Sequence, residues 1–173
     1  NVRNALAAIA CTLAIGIATD AIARGLQAFA PVSGRLQRKL AANGALVIDD
    51  TYNANPDSVR AAIDVLAQMS APRILVLGEM GEVGDDGRQY HEEIGAYARA
   101  KSIEYVLTLG DLTRHTASAF GAGARHYDSV EELNNALAEI FTADATVLVK
   151  GSRFMKMERV VQHLLGQQTQ EAH

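Results

Sequence analysis

Cysteine, tryptophan and proline are scarce in this chain, and each scarcity closes off a class of protein. A single cysteine among 173 residues permits neither a disulfide framework nor a cysteine-rich metal site. That residue, Cys11, sits in the apolar run "LAAIACTLAIGIA" (6–18) and is expected to be an inert core residue. With three prolines, no tryptophan and no internal repeat, the chain is neither fibrous nor a repeat array; only the polar tail "GQQTQEAH" is biased in composition. Excess positive charge is also missing. Sixteen Lys and Arg stand against twenty Asp and Glu, a net charge of -4, so no basic stripe is offered to a nucleic-acid backbone or an anionic membrane. Long apolar runs are absent as well. The 6–18 stretch falls short of the ~20 residues of a membrane span. It contains Thr12 and Gly16, and Asp20 and Arg24 follow it without a small-residue cleavage pattern. The five histidines (91, 115, 126, 163, 173) show no metal-ligand spacing, so no metal site is expected. These absences imply a cytoplasmic, soluble globular protein, read as a monomer.

What is present is ordinary for a packed domain: 49% hydrophobic residues and 21% charged. The chain opens directly into helical periodicity, with Val2, Leu6, Ile9 and Leu13 on one face. An apolar helix at a terminus needs a partner, so a preceding part of a longer protein is expected. Thr19 reads as the N-cap of a second helix carrying Ile22, Leu26 and Phe29, and Pro31 as its stop. "APVSGR" (30–35) reads as a linker, with a domain boundary near residue 33.

Beyond it, "RLQRKLAANGALVIDD" reads as a hairpin across Asn43-Gly44. Short apolar runs ending at glycine follow at 73–78, 104–110 and 146–151, with a weaker strand at 124–127. Amphipathic segments alternate with them. The first presents Val59, Ala62, Ile63, Leu66 and Met69, and the second Tyr90, Ile94, Tyr97 and Ala98. A third begins near Asp111, a fourth follows the capping box Ser129-x-x-Glu132, and the last runs from about Phe154 to Leu165. The expected fold is α/β, a Rossmann-like, mainly parallel sheet with flanking helices and an N-terminal β-hairpin.

In such a sheet, ligands bind beyond the carboxyl ends of the strands. Three strand ends are unusually polar: "DDTYNANP", "GEMGEVGDDG" and "KGSRFMKME". They are expected to share one rim. Period-two alternation sends Asp49 and Asp50 to opposite faces, so one of them faces a cleft, where a carboxylate suits ribose hydroxyls or a metal. Asn55 with Pro56 reads as a helix cap. "KGSR" (150–153) reads either as a plain surface turn or as a carboxylate or phosphate receptor, built from backbone N–H groups at a helix start and a bidentate Arg153. It is not a P-loop. Glu79 and Glu82 suit a substrate ammonium group, although solvated loop carboxylates are the commoner outcome. Met155 and Met157 are expected to serve packing.

Five stretches in order, "NVRNALAA", "SGRLQ", "DDTYNANPDS", "LGEMGEVG" with His91 downstream, and "VKGSRFMKME", closely resemble the Mur ligases of bacterial cell-wall synthesis. The wording is nearest the branch that adds D-alanyl-D-alanine. The resemblance implies three domains in the whole enzyme, of which residues 1–32 would be the end of the central ATP-binding domain and 33–173 the C-terminal one. It implies ATP and Mg2+ as cofactors, with UDP-N-acetylmuramoyl-tripeptide and D-alanyl-D-alanine as substrates joined through an acyl phosphate. It further implies that Asn1, Asn4, Arg35 and Asp50, with Tyr52 and Asn53 of the same turn, lie toward the nucleotide, and that Lys150, Ser152 and Arg153 lie toward the dipeptide, whose ammonium group Glu79 is read to meet. No stretch reads G-x-x-G-K-[ST], and the family's P-loop, metal ligands and modified lysine have no counterpart here. This chain alone is therefore expected to be catalytically silent. Two alternatives remain open: another Mur or folylpolyglutamate-type ligase, and a non-catalytic α/β module binding a nucleotide or peptide.

Overall fold

Runs of Val, Ile and Leu too short for a buried helix form strands, because β-branched side chains pack well on a pleated, doubly covered surface. In the computed structural model, which describes residues 2–29 and 33–166, they are β2 (Leu46–Asp50), β3 (Arg73–Gly78), β4 (Tyr105–Leu109) and β6 (Thr146–Lys150), while β5 (Ala124–Tyr127, "ARHY") is a half-buried edge strand without such a run. β1 (Gln37–Leu40) joins them as an antiparallel edge strand. The sheet order is β1-β2-β6-β3-β4-β5, and every pairing except β1·β2 is parallel. The hairpin turns where its sequence says it should. Gly44 takes φ 95° and donates to the Ala41 carbonyl, and the Asn43 side chain accepts from the Ala45 amide.

Helices cover both faces. Val47, Ile74, Val76, Val147 and Val149 pack with Leu133 and Leu137 of α6 (Val130–Ile140) and with Val160, Val161 and Leu164 of α7 (Glu158–Leu164). The alternate residues Ile48, Leu75, Leu77 and Leu148 pack on the opposite face. Their partners are Val59, Ile63 and Leu66 of α3 (Pro56–Ala67), Ile94 and Ala98 of α4 (Gly87–Ala100) and Phe120 of α5 (Thr113–Phe120). Each fully buried side chain of this size contributes roughly 1.5–3 kcal/mol. α3 begins at a full capping box: the Asn55 side chain accepts from the Ser58 amide, and the Ser58 hydroxyl accepts from the Asn55 amide. At α6, Ser129 accepts from the Glu132 amide.

The chain divides into two compact units, Asn1–Val32 and Ser33–His173. The first holds α1 (Val2–Ala14) and α2 (Thr19–Gln27). Neither helix has a buried residue, so Cys11 is exposed rather than part of a core: two short helices have no second layer to enclose it. Thr19 is not the N-cap of α2. Ala18 holds that position, with no side-chain hydrogen bond, and Thr19 is the first helical residue. Phe29 lies past the end of α2 and is exposed, and Pro31 falls outside the described residues. Among the described residues, no helix is long and apolar enough to cross a membrane.

The last expected helix is broken. A single 3-10 turn spans Arg153–Met155, Lys156 adopts a left-handed conformation (φ 50°, ψ 47°), and α7 starts only at Glu158. The break lets Met157 enter the space above two glycines: a Cβ on Gly78 or Gly151 would meet its side chain at 2.9 or 2.6 Å. Met157 is fully buried there, in the packing role read for it.

Candidate functional site at the carboxyl ends of the central strands

The chain runs from β3 outward to β4 and β5, then returns through α6 to insert β6 between β2 and β3. The carboxyl ends of β2, β6 and β3 therefore meet where the strand order turns back, which is where open α/β sheets hold ligands. The three polar loops do share this rim, and they are stitched together. The Ser152 amide and hydroxyl both donate to the Glu79 carbonyl, at 2.8 and 2.6 Å. The Gly81 amide donates to the Ala54 carbonyl at 3.1 Å, and Lys150 Nζ donates to the Asn53 carbonyl at 2.8 Å. An open pocket lies over the rim, lined by Tyr52, Asn53, Gly81, Glu82, Ser152, Arg153 and Phe154.

Asp49 and Asp50 point to opposite faces, as their alternation requires. Asp49 pairs with Lys39 at 2.6 Å and accepts from the Thr51 hydroxyl at 2.7 Å, closing the hairpin side. Asp50 stands in register with Lys150 on β6, so the two side chains share a face, and Nζ reaches Oδ2 at 2.6 Å. Oδ1 accepts from the Leu36 amide at 3.1 Å. Burial lifts the Asp50 carboxyl above its ordinary range, against the opposing pull of the Lys150 hydrogen bond and charge.

Arg35 projects from a turn whose glycine is required. Gly34 has φ 73°, and a Cβ on it would lie 2.9 Å from the Tyr52 amide nitrogen, which donates to the Gly34 carbonyl. The Arg35 guanidinium lies 4.5 Å from the centre of the Tyr52 ring, an exposed cation–π contact. Arg35, Asp50, Tyr52 and Asn53 thus form one cluster. Asn4 lies exposed on α1, and Asn1 falls outside the described residues.

On the other side of the rim, Arg153 is exposed, and one terminal nitrogen pairs with Glu158 at 2.9 Å. The single 3-10 turn after β6 replaces the helix start expected to supply backbone donors, which leaves the Arg153 guanidinium as the part of the expected receptor that lines the pocket. Ser152 is buried and serves as a tie to the Glu79 carbonyl. The Glu79 carboxylate turns away from the pocket lining: Oε1 accepts from the Leu112 amide at 3.0 Å, and the side chain lies against Gly110. Glu82, by contrast, lines the pocket with φ 58°.

Two contributors were not read as site residues from the sequence. Phe154 forms a pocket wall while 63% exposed, and an aromatic directly after a polar strand-end loop is the signal that marks it. His91, fully buried, holds the second loop at both ends. Its Nε2 accepts from the Met80 amide at 3.3 Å while Nδ1 donates to the Gly87 carbonyl at 2.7 Å, and burial pushes its pKa below the ordinary value. Among the described residues, no group of three or more His, Cys, Asp or Glu is arranged to hold a metal ion.

Residues 34–153 match the family model described as "Mur ligase, glutamate ligase domain". The UDP-N-acetylmuramoyl-tripeptide–D-alanyl-D-alanine ligase of Escherichia coli (strain K12) is 40% identical over 167 residues, covering 95% of this chain and 36% of that protein. A solved structure of MurF from Acinetobacter baumannii superposes with a TM-score of 0.86 at 32% identity, over 96% of this chain and 37% of the other. MurF ligase from Thermotoga maritima, solved in complex with ADP, gives 0.79 at 25% identity, over 91% and 36%. The chain therefore spans little more than a third of the proteins it matches.

Proposed function

The chain belongs to the Mur ligase family, and from that premise we propose that it is the C-terminal portion of an ATP-dependent ligase. The whole enzyme would join D-alanyl-D-alanine to UDP-N-acetylmuramoyl-tripeptide in peptidoglycan synthesis. On this reading residues 1–32 end the central ATP-binding domain, residues 33–173 form the C-terminal domain, and the enzyme works as a cytoplasmic monomer. The rim pocket is the observation that carries the proposal: one open depression with the Arg35–Tyr52 stack and Asn53 on one side and the Arg153 loop on the other.

The chemistry fits the division of labour. A guanidinium at the pocket, with Ser152 fixing its loop, suits the dipeptide carboxylate. Such a hold leaves the dipeptide's amino end free to attack an acyl phosphate. Of the two carboxylates read as ammonium partners, Glu79 and Glu82, it is Glu82 that lines the pocket and is assigned that part. Arg35 and Tyr52 present a cation and a π-face to the nucleotide, and the lone pairs left on the Asp50 carboxylate suit a ribose hydroxyl. Asn1 and Asn4 are assigned to the adenine side. Loops that close over the site would exclude water from an acyl phosphate that water destroys. Mg2+ is expected of the whole enzyme, but the described residues offer no donor set for it, so no metal step is assigned to this chain.

The test is phosphate release by the full-length gene product with ATP and UDP-N-acetylmuramoyl-tripeptide. D-alanyl-D-alanine is compared with L-alanyl-L-alanine, glutamate and diaminopimelate. Release that depends on D-alanyl-D-alanine is expected, and this chain alone should release none. Release stimulated by glutamate or diaminopimelate instead would move the chain to another branch of the family. Stimulation by no amino component would defeat the ligase reading and favour a binding module.

A further inference from the structure

Lys150 was assigned to the dipeptide, yet it does not line the pocket, and its ammonium group is already committed. Its side chain is 3% exposed, and that of Asp50 12%. An ammonium group has three donors. One reaches Asp50 Oδ2 at 2.6 Å and a second the Asn53 carbonyl at 2.8 Å. The second carboxylate oxygen of Asp50 accepts the Leu36 amide at 3.1 Å.

Leu36 is itself unusual. Its φ of 49° lies in the left-handed region that bulky side chains avoid, two residues after Gly34 at 73°. A turn with two such residues keeps its shape only where surrounding bonds hold it. Here two bonds do so: Leu36 N–H to Asp50 and Tyr52 N–H to the Gly34 carbonyl at 3.0 Å. Arg35 lies between them, its guanidinium over the Tyr52 ring. An unbroken series thus runs from the last residue of β6, directly before the Arg153 loop, through a desolvated carboxylate, to the arm that carries Arg35.

We propose that Lys150 is a positioning residue: with Asp50 it forms a buried latch that sets the Gly34–Leu36 turn on one side and the Asn53 backbone on the other. The loop carrying Arg153 and the arm carrying Arg35 thereby hold their geometry together. The physical reason is charge in a dry place. A buried carboxylate relieved of its cation is poorly solvated and takes up a proton, and a protonated acid accepts an amide hydrogen bond less strongly than a carboxylate does. Loss of Lys150 should therefore be felt at Leu36, a residue whose amide bonds to Asp50 rather than to Lys150. The latch depends on the proposed function only for the identity of what Arg35 and Arg153 face.

Amide hydrogen exchange of this chain tests it without any ligand. In Lys150→Met, the Leu36 amide should exchange at least about tenfold faster, the scale of a lost hydrogen bond to a charged group. Tyr52 ring resonances should shift, and the Val76 amide in the middle of β3 should keep its rate. Should the methionine variant fail to fold, Lys150→Gln, which keeps a donor but no charge, should show the same selective effect. Unchanged exchange at Leu36 in a folded variant overturns the latch, and so does equal acceleration at Leu36 and Val76, which reports only general loss of stability. Because no nucleotide or dipeptide enters the measurement, a failed phosphate-release assay would leave the latch standing, and a failed exchange experiment would leave the ligase reading standing.

Discussion

The two units of this chain carry the same kind of pattern and have opposite outcomes. In α1, Val2, Leu6 and Leu13 recur at helical spacing and are 74%, 59% and 47% exposed. In α3, Val59, Ile63 and Leu66 recur in the same way and are wholly buried. Periodicity states which face of a helix is apolar; it does not state what covers that face. α3 has Ile48, Leu75 and Leu148 of the sheet against it, whereas α1 within its own unit has only the nine residues of α2. A second layer turns a pattern into a core.

Substitutions in matched positions sharpen that contrast. Leu148→Ala, at the fully buried centre of β6, should cost about 2–5 kcal/mol in urea unfolding. Leu13→Ala should shift the same transition by less than about 0.5 kcal/mol, and a cost comparable to Leu148 would mean that α1 is covered after all. Acidification separates the units next, since all five histidines lie in the second. Burial lowers the pKa of His91, so its stabilising contribution is complete above its ordinary value of 6.5 and is lost as pH falls below it toward the folded-state value. The slope from this one group cannot exceed about 1.4 kcal/mol per pH unit. Subtracting the profile of His91→Gln isolates it from His126, whose pKa burial also lowers. No difference between the two profiles would mean that the Met80 amide does not depend on a neutral imidazole. At the cap of α3, Asn55→Ala should cost about 1 kcal/mol and leave α2, which has no side-chain cap, as the natural control.

Most of the second unit was legible because its signals are local. Strands ending at glycine, Asn43-Gly44, Asn55-Pro56 and Ser129 each specify geometry within a few residues, and the structure follows them. The shared rim was legible too, since the parallel sheet puts like ends of strands together. What escaped was pairing across distance. Nothing near Lys150 announces that its ammonium serves Asp50, 100 residues earlier, because sheet register decides it. The bond of Glu79 escaped for the same reason: a loop carboxylate looks solvated until a neighbouring loop presents an amide at Leu112. The broken last helix escaped because a run such as "RFMKMERVVQHLL" has good helical spacing throughout, and only the approach of Met157 to Gly78 and Gly151 interrupts it.

The place of β6 has a consequence for synthesis on the ribosome. Of the strands in the described residues it is made last, and it sits third in a sheet of six, between β2 and β3. Until residues 146–150 emerge, β2 and β3 each lack the neighbour that joins them. That arrangement invites foreign strands and delays closure, because a long loop must be ordered before the contacts that reward it form. Completion of the sheet therefore waits on β6, the strand that joins its β1-β2 part to its β3-β4-β5 part.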